Sequence, residues 1–293
     1  MPAADRSSKV VTPNVLREWP LPEPGGSKYG RGQVVVVGGA ARTPGAAMLS
    51  ALAALRVGAG RLTLAIAESV APHVAVAIPE SGVVPLVEDD DGHVRGDALD
   101  GAGDDLSAAD AVLLGPGLDE PDGTRELVRR LPGLVGDDTV VVLDAFALGV
   151  APSVAEDLAP LRGRLVMTPN TSEAGRLLGR DVDKDDLASD LAEIADRFGA
   201  VVSCQSVVAE PGGTTWAMGT GTGGLGTSGS GDVLSGAIAG LAARGATPVQ
   251  AAVWATHVHA AAGDRLAVQV GPMGYLASEL VTELPRVLVE HGA

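Results

Sequence analysis

Val34-Val35-Val36-Val37-Gly38-Gly39 is a short β-branched run closed by two glycines. A strand exposed on one face alternates apolar and polar residues, whereas an unbroken run of this kind suits a strand covered on both faces of a parallel sheet. Helical spacing follows over residues 45–57, with Ala47, Leu49, Leu52 and Leu55 on one stripe, and Gly58-Ala59-Gly60 ends it. Residues 61–66, Arg-Leu-Thr-Leu-Ala-Ile, are the next strand. Strand, helix and strand close as a right-handed crossover. This unit predicts an α/β fold with a mainly parallel central sheet.

The alternation continues outward. Strands are expected at 110–114, 140–143, 164–167, 200–204 and 214–218, and helices at 123–131, 187–198, 233–244, 248–266 and 277–290. Ser172 or Thr171 suits the cap of a further helix after 167. Glu210-Pro211-Gly212-Gly213 reads as a hairpin-type turn and Glu88-Asp89-Asp90-Asp91-Gly92 as a solvated loop. No linker interrupts the pattern, so residues 27–293 are expected to form one domain. Residues 1–26, punctuated by Trp19-Pro20-Leu21-Pro22-Glu23-Pro24, read as an extended arm.

Composition narrows the function. The 293 residues are 46% hydrophobic but only 2% aromatic, so the core is built from Ala, Val and Leu. A formal charge of −16 argues against nucleic acid and anionic membranes as partners, both of which require clustered Lys and Arg. A small phosphorylated ligand stays open, because local N–H groups and a cation can overcome the global field. The single cysteine, Cys204, excludes an intramolecular disulfide and fits a reducing compartment. With no apolar signal region at the N-terminus and no membrane-spanning run, a cytoplasmic protein is expected.

In open parallel sheets, ligands bind beyond the carboxyl ends of the strands. Those ends carry Gly38-Gly39, Gly115-Pro116-Gly117, Asp144 and Asn170. The glycine-rich stretch 219–236, containing Gly229-Ser230-Gly231-Asp232, reaches the same edge and runs into a helix. Such a loop lets backbone N–H groups converge beside the positive end of a helix dipole, which makes an anion site. Asp232 is then either a helix cap or a group that takes a proton from whatever attacks a bound phosphate. Gly115-Pro116-Gly117 serves as a tight turn or a ligand contact, and Asp144 as a cap or a ligand group. The dinucleotide and P-loop fingerprints are absent.

Other chemistry is poorly provided for. His257 and His259 are two apart on an expected helix, which turns them to different faces, so no shared metal is expected; one should pack and the other face solvent. Cys204, on an apolar strand with no activating base in view, reads as core.

With these motifs in order, the chain resembles the NAD(P)H-hydrate dehydratases of the ribokinase-like superfamily. The resemblance rests on residues 28–39 and 45–60, on Gly115-Pro116-Gly117-Leu118, Leu143-Asp144-Ala145 and Thr168-Pro169, and on 229–236, Ala262-Gly263-Asp264 and Ala277-Ser278. It implies a ribokinase-like three-layer α/β/α sandwich, and repair of NADHX or NADPHX driven by ADP or ATP, with Mg2+ sharing the phosphate charge. It further implies that Asp232 accepts the proton of the hydrate hydroxyl. Gly45, Ala46, Gly117, Asp144 and Asn170 would line the hydrate site, and Cys204, Gln205, Ser206, Gly229, Ser230 and Gly231 would meet the nucleotide. No protein cage for a metal is implied, and assembly from identical subunits is expected. The chain departs from the family pattern at Phe146, where an Asp is usual, at Asn170, where a His is usual, and at Cys204-Gln205-Ser206, where a Lys-Gly segment is usual. A vitamin-precursor kinase of the same superfamily, or a diverged binding protein without catalysis, would share the glycine loop.

Overall fold

The computed structural model describes residues 8–23, 25–221 and 223–292. Met1 to Ser7 and Pro24 of the expected arm, and Thr222 of the glycine loop, lie outside them. Along the described chain run β1 (Ser8–Val11), α1 (Pro13–Glu18), β2 (Gln33–Gly38), α2 (Pro44–Arg56), β3 (Arg61–Ala67), α3 (Ala71–Ala77), β4 (Gly82–Leu86) and α4 (Gly103–Ser107). Next come β5 (Ala111–Leu114), α5 (Pro121–Arg130), β6 (Val140–Leu143), α6 (Phe146–Val150), β7 (Leu165–Met167), α7 (Thr171–Leu178) and α8 (Leu187–Phe198). The rest comprises β8 (Ala200–Cys204), β9 (Val207–Ala209), β10 (Thr215–Met218), α9 (Ser230–Ala243), α10 (Pro248–Gln269) and α11 (Ala277–Glu290).

One ten-stranded sheet joins them in the order β1-β10-β9-β8-β7-β6-β5-β2-β3-β4. Only β9 runs against its neighbours. The period of two along a strand explains the continuous Val and Leu runs. Val34 and Val36 of β2, with Leu113 and Val142, face the layer of α2, α9, α10 and α11. Val35 and Val37, with Val112, Leu114, Val141 and Leu143, face the layer of α5, α6, α7 and α8. Every side chain of these strands is therefore covered, and the sheet is the middle of three layers. Chain order reverses at β2, which lies between β3 and β5. The carboxyl ends of these strands therefore open on a crevice.

Two expectations change. Residues 8–18, read as part of an extended arm, instead form β1, which pairs in parallel with β10, and the helix α1. Leu16 is fully buried, the Trp19 ring stacks on Trp216 at 5.1 Å, and Trp254 Nε1 donates to the Trp19 carbonyl at 2.9 Å. Apolar anchors thus override the proline punctuation and cover the sheet edge. Leu16→Ala should cost about 2–4 kcal/mol, read by urea denaturation, because the cavity it leaves is closed on all sides. Strands β4 and β9 were not expected either. The first carries Pro85, a residue confined to edge strands, and the second is only three residues long.

Candidate active site

Asp232 lies in the first turn of α9, and that helix begins at Gly229, whose left-handed φ of 88° turns the glycine loop into the helix. No side chain caps this end, so Asp232 is not the helix cap. Among the described residues its carboxylate has no hydrogen-bond or ion-pair partner. Burial pushes its pKa up to about 6. A half-buried, unpartnered carboxylate at the foot of an N–H-rich turn suits a proton acceptor.

Asp144 is the second carboxylate. It follows β6, is 5% exposed, and accepts a hydrogen bond from Thr168 Oγ1 at 2.8 Å. The Ser235 hydroxyl and the Ala145 N–H also face it. Burial first, then the neighbouring Asp232, push its pKa up to about 7. Ala145 holds φ 50° and ψ −120°, a conformation that costs a non-glycine residue energy and that fixes the turn out of β6. Ser235 Oγ also donates to the main-chain carbonyl of Asp232, one turn back on α9, at 3.2 Å, so the hydroxyl that faces Asp144 comes from the same turn as Asp232.

The other expected substrate residues gather at the same strand ends. Gly117 has φ 75°, and a Cβ there would stand 2.3 Å from the Thr43 carbonyl oxygen. Its own carbonyl accepts from the Ala40 N–H and from Thr43 Oγ1, both at 2.8 Å, which fixes it against the start of α2. Gly45 and Ala46 form the first turn of that helix. Asn170 caps α7: its side chain accepts from the Glu173 N–H at 3.0 Å, and Glu173 reciprocates at 2.8 Å. Its Oδ1 is thus engaged in structure.

Of the residues expected to meet the nucleotide, Gln205, Ser206, Ser230 and Gly231 line a cleft of about 450 Å3 together with Asn170, Gly221 and His259, among others. Gln205 and Ser206 form the tight turn from β8 to β9, with Gln205 at φ 53°. Cys204 departs from this group. Its side chain is buried in the apolar core, not in the cleft, and burial pushes the thiol up to about 12, far from a reactive thiolate. Gly229 is the cap of α9 and is not among the residues lining the cleft.

Sequence reading missed how α10 holds the loop. Asp264 Oδ2 accepts from the Gly221 N–H at 2.9 Å and from the Thr220 hydroxyl, so one carboxylate pins the glycine loop. His259 Nε2 meets Ser230 Oγ at 3.0 Å. Both His257 and His259 are buried, contrary to the expectation that one faces solvent, because α10 is covered by α9 on one side and α11 on the other. Burial holds both rings near pKa 4, in the neutral form. Ala262-Gly263-Asp264 was visible as a motif, but nothing in the sequence told that its acid reaches across to Gly221.

The family model for NAD(P)H-hydrate dehydratase matches residues 34–286. The chain belongs to the NAD(P)H-hydrate dehydratase family. The ADP-dependent (S)-NAD(P)H-hydrate dehydratase of Xanthomonas campestris is 46% identical to it over 289 residues, which cover 96% of each chain. The Bacillus subtilis ADP/ATP-dependent NAD(P)H-hydrate dehydratase, co-crystallized with ATP/Mg2+, superposes with a TM-score of 0.79 at 27% identity, covering 97% of this chain and 98% of that one. A ribokinase-like superfamily protein from Enterococcus faecalis superposes with a TM-score of 0.83 over 97% of this chain and 96% of its own, and at 20% identity it shows the fold. The dehydratase is thus a ribokinase-like three-layer protein. No described helix is long and apolar enough to cross a membrane.

The raised pKa of Asp144 makes a stability prediction for this dehydratase. Between about pH 4 and 7 the folded chain keeps a proton that the unfolded chain has released, so this group's contribution falls as pH rises through that window. Buried His259 acts in the opposite sense, its contribution being lost as pH falls from about 6.5 towards 4. It is common to wild type and variant, so it cancels in the comparison. Asp144→Asn should therefore melt above the wild type at pH 8, with the gap closing near pH 4. Melting curves at the two pH values check this, and a gap that does not change with pH contradicts it.

Proposed function

We propose that this dehydratase returns (S)-NAD(P)HX to NAD(P)H with ADP as phosphoryl donor. The carrying observation is the 46% identity, over nearly the full length of both chains, to an ADP-dependent enzyme of that activity. The arrangement of the site supports it chemically. Hydroxide leaves a carbon badly and phosphate leaves well, so transfer of a phosphoryl group to the hydrate hydroxyl turns a slow elimination into a fast one. Asp232, ionised above about pH 6, takes the hydroxyl proton as the oxygen attacks the terminal phosphorus of ADP. The P–O bond to AMP breaks, and the N–H groups at Gly229 and Gly231 face the charge spread over the transferred group. The ring nitrogen lone pair then expels phosphate, and loss of a proton from the neighbouring ring carbon completes the reduced nicotinamide. One ADP and one hydrate give one AMP, one phosphate and one NAD(P)H.

Gly45, Ala46 and Gly117 shape the wall for the hydrated ring, and Asn170 stands between ring and nucleotide. The described residues hold no cluster of three protein metal ligands. An Mg2+ ion brought by the nucleotide would keep waters and take phosphate oxygens. The chemistry the ion would supply there is to share phosphate charge.

The same reading places the enzyme in the cytoplasm with its substrate and as an assembly of identical subunits. Exposed Val268, Val270, Met273 and Leu276, grouped in one short stretch, support self-association, which light scattering would test. The function is tested by incubating the protein with (S)-NADHX and ADP or ATP and following the return of reduced-nicotinamide absorbance. Recovery with ADP is expected. No recovery with either nucleotide overturns the reading.

A further inference from the structure

A second cleft, of about 460 Å3, is walled by Leu118, Ala145, Phe146 and Val150, with Glu173 and Arg176 as its charged residues. Its walls continue from the substrate positions. Leu118 follows Gly117, Ala145 and Phe146 follow Asp144, and Glu173 is the partner of Asn170 in the cap of α7. The strained turn at Ala145 separates the roles of its neighbours: Asp144 meets Asp232, while Phe146 lines this cleft. The Phe146 ring packs on the core with part of its surface and, being half-buried, presents the rest to the cleft. Arg176 is exposed and forms no salt bridge among the described residues, in contrast to nearby Arg180, which is paired with Asp190 and Glu193. A protein of charge −16 would otherwise repel an anionic dinucleotide.

We propose that this cleft holds the adenosine half of the dinucleotide substrate, with the adenine ring stacked on Phe146 and Arg176 meeting the phosphates that join the two halves. The inference rests on the dehydratase reading. With the phosphoryl donor in the first cleft and the hydrated ring at Asp232, the substrate still has an adenine, a ribose and a diphosphate to place. The second cleft offers what that chemistry requires: an aromatic face, apolar walls and an exposed guanidinium, whose charge also acts on Glu173 one turn away. The substrate's far end then contributes binding energy that orients the reacting end.

The test uses ADP-ribose, the adenosine half with its diphosphate, titrated calorimetrically into the protein held saturated with ADP so that the donor cleft is filled. Wild type should bind it, and Phe146→Ala and Arg176→Gln should each weaken binding on the order of tenfold, the usual size of a lost base stack or charged contact. Arg176 is exposed, so its variant folds even if the Phe146 variant is impaired. Absence of ADP-ribose binding in the presence of ADP, or equal affinity in wild type and Arg176→Gln, overturns the proposal. Turnover of NADHX by the wild type, measured separately, judges the dehydratase reading and not this cleft.

Discussion

Asp232→Asn should lower kcat with NADHX and ADP by about 10³-fold, within the range a positioned general base supplies, while leaving the protein folded. The structure separates the two effects because the carboxylate supports nothing else. It does not cap α9, whose cap is Gly229, and it holds no described partner that an amide would lose. Asparagine is nearly isosteric, so the cleft keeps its shape, but it cannot accept the hydroxyl proton. Burial raises the Asp232 pKa, so ionisation at pH 8 costs folding free energy that the amide avoids. The variant should therefore melt at or above the wild-type temperature at that pH. Loss of activity together with loss of stability would mean that Asp232 is structural. The pH dependence of wild-type kcat/KM belongs to the same account: activity should rise through about pH 6–7, where Asp232 and Asp144 lose protons as a coupled pair.

Gly236→Ala should be a strongly damaging single-carbon change, costing on the order of 3 kcal/mol or more in chemical denaturation. Helix α9 reaches its place by lying directly on α2, and a Cβ at Gly236 would stand 2.1 Å from the Ser50 carbonyl oxygen. That neighbour is backbone in a helix and cannot rotate away. Because Asp232 and Ser230 begin the same helix, any shift that relieves the clash moves the proton acceptor relative to Asp144 and Gly117. Residual activity in the folded fraction should accordingly fall further than the stability loss explains. Full activity per folded molecule would show that the helix contact does not position the site.

The main lines of this fold were legible because they rest on local periodicity. The Val34 to Val37 run could be read as a doubly covered strand, and the structure places alternate valines in opposite layers. Asp144, Asn170, Gly117 and the glycine loop could be collected at one edge because parallel strands bring their carboxyl ends together. What stayed hidden depends on contacts distant in sequence. Nothing local shows that Leu16 is buried in the core, that Trp19 packs against residues some 200 positions later, or that Asp264 reaches Gly221. Cys204 shows both sides: its burial was legible from the apolar strand, while its motif position suggested a nucleotide contact that the side chain, turned into the core, does not make. Phe146 could be seen as a departure, but only the turn at Ala145 shows which cleft it lines.

The central claim is that a phosphoryl group passes from ADP to the hydrate and leaves as phosphate, with Asp232 taking the proton. The most direct measurement is simultaneous quantification of NADH, AMP and inorganic phosphate during turnover of (S)-NADHX with ADP, for wild type and Asp232→Asn. The account predicts that the three products appear in equal amounts with wild type and that all three fall together in the variant. A stable phosphorylated product without NADH, or NADH formed without matching AMP and phosphate, would contradict it.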